Sequence, residues 1–199
     1  MQDKRILVTG GAGFIGSNLA NELAADNEVV VVDDGYLGTP ANLDDGIAYH
    51  ERSVVEDDLP TEVDVVFHLA ALSSYAMHED DPTTGARVNV EGFVNVVEQA
   101  REDGCETIVY ASTSSIYGSR TEPSPEDMAV TVNTGYEASK MARETYAEYF
   151  SNHYDLTLAG MRFFSVYQGY GGAEEHKGEY ANVIAQFADD IANGDSPKL

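Results

Sequence analysis

The chain has 199 residues, 43% of them hydrophobic, and a formal net charge of −24 from 35 acidic against 11 basic residues. That length bounds it to one substantial core, or one domain plus a fragment. So acidic a balance excludes a surface built to neutralise phosphate backbones, so no nucleic acid is expected as a partner.

Acid pairs such as Asp44-Asp45, Asp57-Asp58, Asp80-Asp81 and Asp189-Asp190 are spread along the chain without an acidic tail, and only four bases are Lys. Salt screens self-repulsion of that kind, which leads us to expect a halophilic source. Cys105 is the single cysteine, which rules out an intrachain disulfide and suits a reducing compartment. No apolar run is long enough to span a membrane and no signal peptide precedes the first strand, so the expectation is a soluble, cytoplasmic protein with no membrane partner.

In chain order, Ile6-Leu7-Val8 reads as a short buried parallel strand. Thr9-Gly10-Gly11-Ala12-Gly13-Phe14-Ile15-Gly16 follows, then a helix over Ser17–Ala25 and a second strand over Glu28–Val32 that ends in Asp33-Asp34. This is the βαβ arrangement that binds a dinucleotide. Gly10 allows a tight turn, Gly13 lets a pyrophosphate approach the backbone, and Gly16 lets helix and sheet pack closely. The pyrophosphate would sit at the positive end of the helix dipole. Asp33, 23 residues after Gly10, is placed to accept hydrogen bonds from ribose hydroxyls and to repel a 2′-phosphate, so NAD is expected rather than NADP. A Walker loop is excluded, because Ser17 stands where its lysine is required.

Gly35–Pro40 is a punctuated loop, Ile47–Glu51 a possible short strand, and Val63–Leu69 another buried strand. That strand leads into Ala70-Ala71-Leu72-Ser73-Ser74, small residues suited to a crevice at a strand's carboxyl end. A helix is predicted from Asp81-Pro82 to about Glu102, ended by Gly104, and then a strand over Thr107–Ala111 closing on Ser112-Thr113-Ser114-Ser115. Thr134-Gly135-Tyr136-Glu137 reads as a capping box that opens a helix through about Phe150. Leu156–Arg162 is the last clear strand, and Tyr180–Ala192 a final amphipathic helix. Strands alternating with helices predict an α/β fold with a doubly wound parallel sheet.

Tyr136 and Lys140 fall four apart on that capped helix, hence on one face, and Thr113 lies at a strand end on the ligand side of such a sheet. For Tyr136 to act as a base near neutral pH its phenol must drop about 3 units, roughly 4 kcal/mol. A cation at about 5 Å supplies roughly 3 kcal/mol at an effective dielectric of ~20, so Lys140 together with an oxidised nicotinamide ring is expected to cover the drop. Thr113 would hydrogen-bond the substrate oxygen whose proton Tyr136 takes.

Six ordered motifs carry a resemblance across essentially the whole chain. They are Thr9-Gly10-x-x-Gly13-x-x-Gly16; His68-Leu69-Ala70-Ala71; Asn89-Val90-x-Gly92; Ser112-Thr113 before Tyr117-Gly118; Tyr136-x-x-x-Lys140; and Arg162-Phe163-Phe164-Ser165-Val166-Tyr167. Together they resemble the extended short-chain dehydrogenase/reductase family, and within it the nucleotide-sugar epimerases and dehydratases. The resemblance implies a Rossmann-type domain over residues 1–166, followed at 167–199 by the start of a truncated substrate-binding lobe. It implies Thr113, Tyr136 and Lys140 as catalytic. Tyr136 and Lys140 are also implied at the NAD site, with Gly10, Gly13, Phe14, Ile15, Gly16, Asp33, Asp34, Ser53, Val54, Leu69, Ala70, Ala71, Asn89 and Phe164. Ser73, Thr113, Tyr136 and Ser165 are implied as contacts to the nucleotide-sugar substrate.

The implied reaction is NAD-dependent epimerisation at C4 through a 4-keto sugar. Its alternatives are a nucleotide-sugar reductase or dehydratase, or a cofactor-binding module without turnover. Dehydration is disfavoured because Ser114 and Ser115 stand where dehydratases of the family carry an Asp-Glu pair. Ser165, Gln168 and Ser53 also depart from the family pattern. Family habit implies a homodimer through the helices Thr83–Arg101 and Tyr136–Phe150. His68 is read as structural, and Cys105 as a small packing residue. His50, His78, His153 and His176 show no metal-ligand spacing, so no metal is expected. Glu174-Glu175-His176-Lys177 is read as a solvated loop.

Overall fold

The computed structural model describes residues 1–167 and 181–197. Gln168, the Glu174–Lys177 stretch and Tyr180, from which the last helix was predicted to start, lie outside the described residues. Six strands form one sheet: β1 Arg5–Thr9, β2 Glu28–Asp33, β3 Ala48–Glu51, β4 Val65–His68, β5 Thr107–Thr113 and β6 Thr157–Phe163. Their order is β3-β2-β1-β4-β5-β6, and every neighbouring pair is parallel.

The strands read as unbroken apolar runs because both faces of the sheet are covered. Ile6 and Val8 of β1 and Val29 and Val31 of β2 turn to one face, where Ala20 of α1 (Phe14–Leu23) packs on them. Leu7, Val32, Val66 and Ile108 turn to the other, against Phe93, Val96 and Val97 of α4 (Gly92–Glu102) and Ala147 and Phe150 of α5 (Gly135–Tyr154). Each of the Val, Leu, Ile and Phe side chains among them contributes about 1.5–3 kcal/mol when fully buried.

After β1 the chain winds outward through β2 to β3, then returns to the other side of β1 with β4 and continues through β5 to β6. The winding direction reverses between β1 and β4, the place where the carboxyl ends of an open parallel sheet leave a crevice. The register makes those ends finish level, with Thr9 opposite both Val32 and His68. Gly10, Asp33 and Leu69 therefore share one rim.

The structure departs from the sequence expectation between β4 and β5. A short helix, α2 (Tyr75–Asp80), forms where none was predicted, its N-terminus capped by the Ser74 hydroxyl accepting from the Met77 amide at 3.3 Å. The single helix predicted from Pro82 to Glu102 is divided into α3 (Pro82–Ala86), a π turn over Arg87–Glu91, and α4. Asp81 separates α2 from α3 because the ring of Pro82 disfavours the helical region at the residue before it; Asp81 has φ −142° and ψ 85°. Elsewhere α5 runs four residues past Phe150, to Tyr154, and stops where Asp155 turns left-handed at φ 58°. The last helix, α6, spans Val183–Ala192.

Candidate active site

The glycine turn after β1 is shaped by two close backbone approaches. Gly10 is left-handed at φ +69°, and a Cβ there would lie 2.5 Å from the Ala70 amide nitrogen. A Cβ on Gly16 would collide with the Gly10 carbonyl. Gly13 differs: its φ is −76°, and a Cβ would meet only the Gly10 carbonyl, at 3.3 Å. The fold presses less on Gly13 than on Gly10 or Gly16, and Gly13 lines the cleft. Gly13 caps α1 without a side-chain hydrogen bond, and no acid stands in that helix's first turn, so its positive end opens into the crevice.

Asp33 closes the far side of the turn. Its carboxylate accepts from the Ala12 amide at 3.1 Å and the Gly35 amide at 3.0 Å, which fixes its orientation and leaves lone pairs for a further donor. Burial pushes its pKa up, against those backbone bonds.

A cleft of about 490 Å³ runs from this turn along the carboxyl edge of the sheet. It brings together Gly10, Gly13, Phe14, Ile15, Gly16, Asp33, Asp34, Val54, Leu69, Ala70, Ala71 and Ser73 from the first half of the chain. From the second half it gathers Thr113, Tyr136, Lys140, Phe164 and Ser165. Two expected residues do not reach it. Ser53 turns its hydroxyl back to the Val55 amide at 3.1 Å, and its neighbour Arg52 lines the cleft instead. Asn89 is wholly buried in the π turn, where its side chain accepts from the Leu72 amide (2.8 Å) and donates to the Leu72 carbonyl (3.0 Å) and the Ser139 hydroxyl (2.9 Å). Asn89 thus ties the loop after β4 to α5 and acts as scaffold, not lining.

At the other end of the cleft, Thr134 caps α5 by accepting from the Glu137 amide at 3.1 Å. The return bond of the predicted capping box goes one residue further back, Glu137 accepting from the Asn133 amide at 2.6 Å. This cap fixes the first helical turn, which carries Tyr136. Ser139, held by Asn89, donates to the Tyr136 carbonyl at 2.7 Å, and the His78 ring meets the Tyr136 ring edge-on at 5.6 Å. Lys140 Nζ lies 5.7 Å from the Tyr136 ring centroid and donates to the Ala111 carbonyl at 3.2 Å. Thr113 Oγ1 accepts from the Ser115 amide at 3.2 Å and donates to Ser115 Oγ at 3.1 Å.

Burial dominates the electrostatics at this end of the cleft. The protein's own groups hold the Tyr136 phenol above its ordinary value: burial raises it more than the Thr113 hydrogen bond and the Arg143 charge lower it. Lys140 is held well below the ordinary ammonium range, by burial and then by Arg143. A second buried cation, Arg143, also acts on the phenol and lowers it, and the sequence reading left it out. The available signal was its position seven residues after Tyr136, on the same helical face.

A second network fastens the end of β5. Glu144 accepts from Ser112 Oγ at 2.5 Å and from Arg162 Nε and Nη2 at 2.9 and 2.6 Å. Burial works against the Glu144 carboxylate, but the Arg162 and Ser112 bonds outweigh it and hold its pKa low. Arg162 also reaches the Tyr117 hydroxyl at 2.8 Å, and the Tyr117 ring stacks on Phe164 with centroids 6.2 Å apart. Among the described residues no group of three or more His, Cys, Asp or Glu is arranged to hold a metal ion. His68 is fully buried, paired through Nδ1 with the Thr9 hydroxyl at 2.8 Å, which suits its structural reading. Cys105 is buried in the core. No helix among the described residues is long and apolar enough to cross a membrane.

Comparison with known proteins gives this geometry a context. The sequence profile described as "NAD dependent epimerase/dehydratase family" matches residues 6–199. UDP-glucose 4-epimerase of Mycolicibacterium smegmatis is 37% identical over 208 residues, an alignment that covers 98% of this chain and 65% of that protein. UDP-glucuronic acid decarboxylase 3 of Arabidopsis thaliana is 33% identical over 82% of this chain and 51% of its own length. Among solved structures, UDP-N-acetylglucosamine 4-epimerase from Methanobrevibacter ruminantium, in complex with UDP-N-acetylmuramic acid, superposes with a TM-score of 0.92 at 29% identity over 99% of this chain and 65% of that one. The chain thus spans about half to two thirds of the length of these proteins.

Proposed function

As this chain belongs to the NAD dependent epimerase/dehydratase family, we propose that it binds NAD along the carboxyl edge of its sheet and epimerises a nucleotide sugar at C4. The observation that carries the proposal is a cleft that holds the glycine turn, Asp33, Thr113 and Tyr136 together. The residues present fit the dinucleotide: Gly13 leaves room at the positive end of α1 for a pyrophosphate, and the braced Asp33 carboxylate can accept from ribose hydroxyls. Gly10, Gly16, Phe14, Ile15, Asp34, Val54, Leu69, Ala70 and Ala71 complete the dinucleotide wall, with Tyr136, Lys140 and Phe164 at its reactive end.

When bound, NAD supplies a reversible hydride acceptor for the C4 carbon. The protein's share is orientation and proton transfer. Tyr136 takes the proton of the C4 hydroxyl and returns it after the 4-keto sugar has turned over. Thr113, on giving up its bond to Ser115 Oγ, donates to the same sugar oxygen, with Ser73 and Ser165, which also line the cleft, as further contacts to the sugar nucleotide. Ser114 and Ser115 also line the cleft, where elimination of water would call for an acid and a base, and this favours epimerisation over dehydration. Residues 1–166 form the dinucleotide domain in this reading, and the chain from 167 onward belongs to the part that grips the sugar nucleotide. The outer face of α5, with Tyr146, Tyr149 and Tyr154 exposed, is the surface offered for a homodimer.

Incubation with a panel of UDP-linked sugars tests the proposal. The expected product is the C4 epimer, without net NADH and without a deoxy sugar. Tyr136→Phe is expected to lower kcat by about 10²–10⁴-fold while NAD still binds. A deoxy or decarboxylated product, or turnover that survives Tyr136→Phe, defeats it. Gel filtration in high salt that gives only monomer defeats the homodimer.

A further inference from the structure

The few bases of this acidic chain are nearly all committed. Lys4, Arg5, Arg87, Arg101, Arg120 and Arg162 each pair with an acid. Lys140 and Arg143 are buried. Among the described residues Arg52 is the one partly exposed base with no acid at ion-pairing distance, although acids outnumber bases 35 to 11.

Arg52 follows β3, and its amide donates to the Asp33 carbonyl at 3.0 Å, which sets it at the Asp33 end of the cleft it lines. One corner of its guanidinium is anchored, Nη1 donating to the Asp58 carbonyl at 2.6 Å. Nε and Nη2 make no hydrogen bond among the described residues. The chain leaving β3 sends two side chains to the cleft, Arg52 and the buried Val54. Between them Ser53 spends its hydroxyl oxygen on the Val55 amide at 3.1 Å. A guanidinium carries donors only and a valine carries neither donor nor acceptor, so this wall is apolar, with donors at its edge and no side-chain acceptor.

Its neighbours decide what such a wall takes. Asp33 and Asp34 line the same end and repel an anion. Gly38 lies so close to the Asp33 carboxylate that a Cβ there would stand 2.6 Å from Oδ1, which closes the space a phosphate on an adjoining ribose would need. A flat, neutral heterocycle with acceptors on its edge suits the wall, because an arginine fork donates to the ring nitrogens and oxo groups of purines and its plane lies well on an aromatic face.

We propose that Arg52 is the base-recognition residue of the cofactor cleft: it donates to the acceptor edge of the purine, and because no side chain of its wall accepts from an exocyclic amine, the cleft takes a 6-oxopurine dinucleotide as readily as NAD, a reading that rests on the NAD site proposed above and not on the sugar or the reaction.

Calorimetry in molar KCl tests this by comparing NAD with nicotinamide hypoxanthine dinucleotide, in which an oxo acceptor replaces the amine donor. The wild-type protein is expected to bind the hypoxanthine form within about threefold of NAD, or more tightly, since no acceptor is left unpaired. Arg52→Met is expected to weaken both dinucleotides by about tenfold or more, the scale of a lost bond from a charged donor, with an unfolding midpoint near wild type. A wild-type preference for NAD of about tenfold or more, the mark of a group that reads the amine, overturns the proposal. So does a folded Arg52→Met protein with wild-type affinities, and so does tighter binding of NADP than of NAD, which would make Arg52 a phosphate ligand. If Arg52→Met does not fold, the wild-type comparison of the two dinucleotides decides. A wild-type protein that binds neither dinucleotide sinks the cofactor reading and this one with it, whereas NAD binding indifferent to Arg52 sinks this one alone.

Discussion

Two glycines of one turn separate fold from binding. A methyl on Gly16 meets the Gly10 carbonyl, which is fixed backbone, so Gly16→Ala is expected to yield little folded protein. A methyl on Gly13 has one near neighbour, at 3.3 Å, and an ordinary φ. Gly13→Ala should therefore keep its stability within about 1 kcal/mol while NAD affinity, read by calorimetry, falls at least tenfold. A pH effect belongs to His68. Its folded-state pKa is depressed by burial, with Arg143 and Lys140 adding to the shift, so its contribution is present above the unfolded value of about 6.5 and is lost as pH falls below it. Urea midpoints should drop between about pH 6.5 and 5, by up to about 1.4 kcal/mol per pH unit for one imidazole. His68→Gln should flatten part of that slope; a slope identical to wild type would contradict it. His78, depressed in the same direction, supplies the remainder.

The helix α5 carries Tyr136 in its first turn, so its cap governs more than stability. Thr134→Ala is expected to cost about 1 kcal/mol in urea unfolding and to lower kcat more than KM, because the fraying falls on the reacting phenol. The strands, the glycine turn, this cap and the Tyr136–Lys140 face were all legible in the sequence, since each depends on local spacing. What was not legible depends on partners far along the chain. The π turn exists with Asn89 reaching both Leu72 and Ser139, and its carbonyl receiving Arg143; no periodicity announces that. The six residues of α2 are too few for a helical pattern to show. Nearness of Lys140 to the phenol was foreseen, but the lowering of its pKa was not, because that is set by burial and by Arg143 together.

At the scale of the whole molecule, charge dominates. Eleven bases face 35 acids, and the ion pairs among the described residues are mostly exposed, weak ones such as Lys4–Asp64 and Arg87–Glu56. They do not offset the repulsion among unpaired carboxylates, which only screening relieves. We propose that the protein depends on high salt. Its urea midpoint should fall steeply as KCl is lowered from molar to about 0.1 M, where the Debye length reaches about 10 Å, and an uncharged osmolyte should restore less than salt does. Equal stability at both salt levels would refute this.

The flank of β6 adds a liability of another kind. Among the described residues β6 pairs only with β5, so the amides and carbonyls of its alternate residues that point away from β5 have no strand partner among them, and Met161 is exposed beside them. Natural sheets guard such a border with lysine, proline or a bulge; here its one charge, Arg162, is already held by Glu144. At millimolar concentration this border is expected to seed ribbon-like self-association, visible as growing light scattering that a Met161→Lys substitution suppresses.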